Sequence, residues 1–168
     1  DMWRAPEGLG TFLRAYFHYK SADWTGNKPH PLASLSADEL AKMPTYYVMD
    51  RDQTMAETVR PFAPSATEIA GIKWLPDTEI AVYVEEYERT GFQGGLNWYR
   101  ASLEPELVAE LNLFSGKVID MPSMFISGQG DWGTYQTPGA LDKMRERAFS
   151  HMAGVHLVPG GGHLVQQG

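Results

Sequence analysis

The spacing of apolar positions divides the chain into two stretches with different periods. Up to residue 115 the period is helical. Between Asp77 and Gly91 the apolar residues Ile80, Tyr83, Val84 and Tyr87 fall at i, i+3, i+4 and i+7, with Asp77 placed to cap the start and Gly91 to stop the end. "EPELVAELNLF" predicts a second helix, with Pro105 in its first turn and Leu107, Val108, Leu111 and Phe114 along one face. At the front, "TFLRAYFHYK" reads as an aromatic-rich helix capped by Thr11. Capping boxes mark further starts at Ser36 with Glu39, Thr54 with Glu57, and Ser65 with Glu68, the first flanked by a hydrophobic staple of Leu35 and Leu40. Segments broken by Pro, Gly and Asn, such as "SADWTGNKPHPLAS" and "VRPFAPS", connect them.

Past residue 116 the pattern changes. "VIDMPSMFISG" and "GVHLVPGGG" are short apolar runs ending in glycine, and "TPGALDKMRERAF" between them is an amphipathic helix with Leu141, Met144 and Ala148 turned inward. Strand, helix, strand predicts a βαβ unit with parallel strands. One such unit cannot cover both faces of a parallel sheet, so the sheet is expected to be incomplete in this chain. The change of period places a boundary between a helical unit, 1–115, and an α/β unit, 116–168.

Composition narrows the partners. The net charge is −7, and none of the 14 Lys and Arg residues forms a run, which argues against nucleic acid or an anionic membrane as a partner. Small neutral or cationic molecules fit better. The absence of cysteine removes disulfides, thiol catalysis and thiolate metal sites together. It leaves the compartment open, with the cytoplasm favoured. No stretch approaches the roughly 20 apolar residues of a membrane span, and "DMWRAPEGLG" lacks the plan of a signal peptide, so a soluble protein is expected.

"SGQGDWG" matches G-x-G-x-x-G, the phosphate-cradling fingerprint of dinucleotide folds. That site needs a helix opening at the third glycine and an acidic residue after the second strand. Here the helix is expected to begin at Pro138, the second strand runs into "PGGGHLVQQ" without a carboxylate, and Asp131 would repel phosphate from inside the cradle. The nucleotide reading is set aside. The alternative puts Asp131 at the tip of one strand and His163 just past the next, where open α/β sheets gather their catalytic groups. A carboxylate against an imidazole fixes its tautomer and stabilises the imidazolium, which makes an acid and base pair. The plainer reading of either residue is local hydrogen bonding in a loop; successive strand ends favour the pair.

The segment "EEYERTGFQGGLNWYR", residues 85–100, resembles the lid helix of soluble epoxide hydrolases, where a G-F-x-G-x-L-N-W-Y-R run occurs. With "SGQGDWG" and "PGGGHLVQQ" it is similar to the α/β-hydrolase superfamily in its epoxide hydrolase and haloalkane dehalogenase branch. The resemblance implies an α/β-hydrolase fold, here a mostly helical cap followed by a βαβ piece of the core sheet. It implies a small hydrophobic epoxide or related substrate, opened by a nucleophilic Asp to an enzyme ester that a His and Asp pair then hydrolyses to a vicinal diol. On matching positions His163 is the base, Asp131 its orienting acid, and Tyr99 one of two lid phenols that donate to the epoxide oxygen. The second is Tyr46, with Tyr47 in reserve, because the family's Gln-Glu-Pro-Gly run after this tyrosine is not kept; Gly95 likewise stands where the lid motif commonly has proline. A phenol of pKa about 10 stays protonated at neutral pH yet stabilises an alkoxide in a water-poor pocket. Trp98 and Trp132 are expected to line the pocket beside their neighbours, while Trp24 and Trp74 read as core. No cofactor is implied, and His18, His30 and His151 show no metal spacing, so no metal is either.

No G-x-D-x-G or G-x-S-x-G elbow occurs in the sequence. The expectation is therefore that these 168 residues are part of a larger hydrolase whose remaining core supplies the nucleophile, and that alone they are inactive on epoxides. A homodimer is left open. The rival readings are a dehalogenase of the same fold, which would use indole N–H donors such as Trp98, and a noncatalytic helical binding module.

Overall fold

In the computed structural model, which describes residues 2–167, the aromatic helix near the front forms the centre of the helical stretch. Helix α1, Leu9–Lys20, starts after Gly8, whose φ of 89° is a conformation that glycine reaches without strain. Phe12 N–H bonds back to Gly8, so Thr11 lies inside the helix and does not cap it as its sequence position suggests. The helix buries Phe12, Leu13, Ala15, Phe17 and Tyr19 against Val59, Leu75 and Ile80. Tyr19 stacks on Phe62 with ring centroids 3.8 Å apart, and Trp24 meets Tyr19 edge-on at 4.6 Å.

The shorter helices follow their caps. In α3, Met55–Val59, and α4, Ala66–Gly71, the boxes at Thr54 and Ser65 both form. The box expected at Ser36 does not. In α2, Ala37–Leu40, the Glu39 carboxylate accepts instead from Ala33 N–H and from Lys42, and Leu35 stays exposed, so the staple does not close either. Helix α5, Asp77–Thr90, buries Ile80 and packs Tyr83, Val84 and Tyr87 on the core, and Gly91, at φ 65°, ends it. Pro76 takes the cap position. Asp77 sits in the first turn, 2.6 Å from the buried Arg14 guanidinium, which also donates to Leu75 C=O.

Helices α6, Gln93–Ala101, and α7, Pro105–Asn112, lead out of the helical stretch. Leu107, Leu111 and Phe114 share a face as expected, but that face is exposed among the described residues. Strands β1, Ser123–Gly128, and β2, Met152–Val158, then pair in parallel, with α8, Ala140–Arg147, as the crossover. Leu141 and Met144, with Ala140 at its start and Ala148 just past its end, are partly buried. Helix α8 begins two residues later than Pro138, after Gly139 at φ 68°. Strand β1 also starts later than its apolar run, because Pro122 has no N–H to give to a ladder; upstream there is only a single bridge from Ile119 to Phe149. Met124 and Ile126 of β1 remain exposed.

Candidate active site

Both strands end at the same level, and the loops beyond them are laced together by backbone. Gln129 N–H donates to Val158 C=O, and Gly130 N–H to Gly161 C=O, each at 2.9 Å. Glycine is required at 128, where a Cβ would come within 2.2 Å of Gly162 O. The approach brings His163 Nδ1 to 3.0 Å from Asp131 Oδ1, and the same carboxylate oxygen accepts Gly133 N–H at 2.8 Å. The loop amides at 129, 130, 131 and 133 thus all have protein acceptors, and a phosphate would find none of them free.

Burial alone would raise the Asp131 pKa. The hydrogen bonds from His163 and from Gly133 N–H, with the charges of His163 and Lys20, outweigh it and hold the carboxyl below its ordinary value. Asp131 is therefore ionised at neutral pH, its side chain 14% exposed, beside a His163 side chain that is 39% exposed. With Nδ1 engaged by the carboxylate, Nε2 is the nitrogen left to take a proton from water.

The end of α1 is pressed onto these loops. Lys20 C=O accepts His163 N–H at 3.2 Å, and Asn27 Nδ2 donates to both Ser21 C=O and Gly130 C=O, at 2.9 and 2.6 Å. A Cβ at Gly162 would stand 2.8 Å from Ser21 Cα, so this seam too depends on glycine.

Above the pair lies a group of phenols. Tyr46 is buried, its ring 4.8 Å from Tyr19 and 4.7 Å from Tyr47. Burial first, then Tyr47 and Asp131 for Tyr46 and Asp131 for Tyr47, push both phenols well above their ordinary pKa, so both stay protonated donors. Tyr99, on α6, is 66% exposed and belongs to the same electrostatic neighbourhood, since it acts on both Tyr47 and Lys20. Tyr99 and Trp98 line a cavity of about 400 Å³ together with Phe12, Tyr16, Tyr87 and Phe92. Trp98 is otherwise exposed. Trp132 is buried 5.1 Å from the His30 ring, with its Nε1 unpartnered, and does not line that cavity.

The remaining histidines have local roles. His18 Nδ1 bonds to Phe62 C=O at 2.9 Å, His30 Nδ1 to Lys28 C=O at 3.1 Å, and His151 Nδ1 to Asp120 C=O at 2.8 Å. Asp23 accepts from Trp74 Nε1 at 2.7 Å and not from His18. Two residues enter the site without having been singled out in the sequence, Lys20 and Tyr16. Their i, i+4 spacing at the end of an aromatic helix was the available signal.

No family model matches the chain. Curated relatives do. Epoxide hydrolase A of Mycobacterium tuberculosis is 37% identical over 111 residues, 63% of this chain and 32% of that protein. Epoxide hydrolase 1 of Siraitia grosvenorii is 32% identical over 124 residues, 68% of this chain and 38% of that protein. Among solved structures, an epoxide hydrolase from an endophytic Streptomyces superposes with a TM-score of 0.70 at 22% identity, covering 99% of this chain and 46% of that one. By sequence and by fold the chain matches part of an α/β-hydrolase of the epoxide hydrolase type. Potato (Solanum tuberosum) epoxide hydrolase I gives the same fold at a TM-score of 0.61 and 24% identity, with 98% of this chain and 43% of that one covered. The chain thus spans less than half the length of the epoxide hydrolases it matches. Its helical stretch has the form of a cap, and its parallel strand pair that of a piece of the hydrolase core.

Proposed function

We propose that this chain is the lid and the acid–base part of an epoxide hydrolase that converts an epoxide to a vicinal diol through an enzyme ester. The observation that supports it most is the 3.0 Å contact of His163 Nδ1 with Asp131 Oδ1 at the tips of adjacent parallel strands. In the first step an Asp carboxylate, supplied by sequence outside these 168 residues, attacks an epoxide carbon. A C–O bond of the ring breaks, an ester C–O bond forms, and the charge passes to the epoxide oxygen, which takes hydrogen bonds from Tyr99 and Tyr46 and then a proton from one of these phenols, leaving it a phenolate. In the second step His163 Nε2 removes a proton from water as its oxygen attacks the ester carbonyl, and Asp131 stabilises the imidazolium; the ester C–O bond breaks, the leaving diol oxygen takes the imidazolium proton, and the carboxyl formed gives its proton back to the phenolate. The steps use protein groups and water alone.

On this reading residues 1–115 are the cap, and residues 116–168 belong to a core whose remaining elements, helices on the sheet face, cover Met124 and Ile126. The substrate is small and apolar, in keeping with the aromatic cavity next to Tyr99. Residues 1–168 expressed alone would leave epoxides unopened, having no attacking carboxylate at an elbow. Single turnover of styrene oxide by the full-length protein in water enriched in heavy oxygen is the test. The ester route gives first-turnover diol without the label, because its oxygen comes from the enzyme carboxylate. Labelled diol would exclude the ester. Halide release from a haloalkane with no diol from the epoxide would assign a dehalogenase, and neither product would leave a binding module.

A further inference from the structure

One charged group in the site has no part in that reaction. Lys20 ends α1 with its side chain buried, and its ammonium donates to Tyr16 Oη at 3.2 Å. The same Nζ lies 4.9, 5.3 and 5.9 Å from the ring centroids of Tyr16, Tyr46 and Tyr47. Among the described residues no carboxylate forms an ion pair with it. A buried ammonium held by one phenol and three ring faces is costly to keep, and packing alone would be served better by methionine.

We propose that Lys20 is an electrostatic positioning residue for ring opening: anchored on Tyr16 and seated against Tyr46 and Tyr47, its ammonium stabilises the negative charge that the lid phenols receive with the epoxide oxygen. The inference rests on the epoxide-opening reading above. As the ring opens, the full charge of the attacking carboxylate arrives on an oxygen that only phenols touch, in a pocket where burial has made Tyr46 and Tyr47 reluctant to give up their protons. A fixed cation behind those phenols opposes that reluctance without entering the first layer around the substrate. The titratable groups facing it are Tyr16 on its own helix, Tyr46 and Tyr47 before α3, Tyr99 on α6, and Asp131 beyond β1. Burial lowers the Lys20 pKa, against the opposing charges of Tyr99 and Asp131, while Tyr46 and Tyr47 are raised well above theirs. As pH rises, Lys20 loses its proton before either of those two phenols. Ring opening should therefore fall on the alkaline side with the discharge of Lys20.

The experiment is single-turnover opening of styrene oxide by the full-length protein, followed through tryptophan fluorescence across pH, in wild type, Lys20→Met and Lys20→Arg. Lys20→Met is expected to slow ring opening about 10- to 100-fold and to lose the alkaline limb, leaving ester hydrolysis near the wild-type rate. Lys20→Arg, which stays charged, is expected to recover most of the rate and to move the limb to higher pH. A Lys20→Met variant with wild-type rate and limb overturns the inference, as does an equal slowing of both steps that Arg does not rescue. If Lys20→Met fails to fold, the Arg variant decides alone, since a limb that does not move contradicts the role given to Lys20. Ring opening indifferent to Lys20 removes only this inference. No ring opening by the wild-type protein removes the epoxide reading, and the role of Lys20 with it.

Discussion

On the proposed ester route, replacing Asp131 by asparagine should separate ring opening from ester hydrolysis. The substitution keeps the size of the side chain and an oxygen to accept Gly133 N–H, so the loop after β1 has reason to hold its shape. What it removes is one negative charge 3.0 Å from His163 Nδ1. Two unit charges at that distance interact by about 5 kcal/mol at an effective dielectric of about 20. The His163 side chain is 39% exposed, and solvent screening reduces the figure by about half, to roughly 2–3 kcal/mol. That stabilisation acts only once the imidazole is protonated, in the transition state for ester hydrolysis, and it corresponds to a slowing of about 30- to 150-fold. Ring opening does not use the base and should keep its rate. A substrate adduct should then accumulate on the full-length protein, visible by rapid quenching and intact-mass measurement. Ring opening slowed by the same factor as ester hydrolysis, or hydrolysis within about threefold of wild type, would refute the roles given to the pair.

Other consequences are more local. Gly162→Ala places a Cβ 2.7 Å from Ala22 N and 2.8 Å from Ser21 Cα, both backbone, so thermal unfolding should show a loss of about 1–3 kcal/mol. The same variant should be slower in ester hydrolysis than in ring opening, because the loop it displaces holds His163. Arg14→Met leaves Leu75 C=O, a buried acceptor, without its donor, and should cost about 1–3 kcal/mol in urea titration. The Asp77 partner is almost wholly exposed and contributes little to that figure. Asp131 is held below its ordinary pKa, so its contribution to stability is complete above the unfolded-state value near 4 and is lost as pH falls through the lower folded value. The melting temperature of wild type should therefore drop more steeply in that acid range than that of Asp131→Asn; parallel curves would contradict it.

The sequence is most legible where a local signal meets no competitor. Helix α5 follows from four spaced apolar residues and a glycine stop, and the boxes at Thr54 and Ser65 close as written. Glu39 had rivals for its carboxylate in Ala33 N–H and Lys42, and the box at Ser36 gave way. Asp77 was drawn off by Arg14, 63 positions away, a contact that periodicity cannot see. Similar reasoning covers the site. The meeting of Asp131 and His163 was readable because parallel strands must end on the same side, whereas Lys20 enters only through the way α1 lies across the loops. Spacing could not tell that Tyr46, and not the adjacent Tyr47, would meet the Tyr19 ring edge-on, because that contact is set by how α1 lies against the segment before α3.

The seam at the end of α1 also fixes a length. Lys20 holds the His163 loop by its carbonyl and Tyr16 by its ammonium, against the rings of Tyr46 and Tyr47, so the imidazole and these phenols are spaced by a single side chain. That gauge cannot be reset without unwinding the final turn of the helix. The cavity wall at Trp98 and Tyr99 stands open to solvent and lies outside this seam, so loosening there would leave that spacing unchanged.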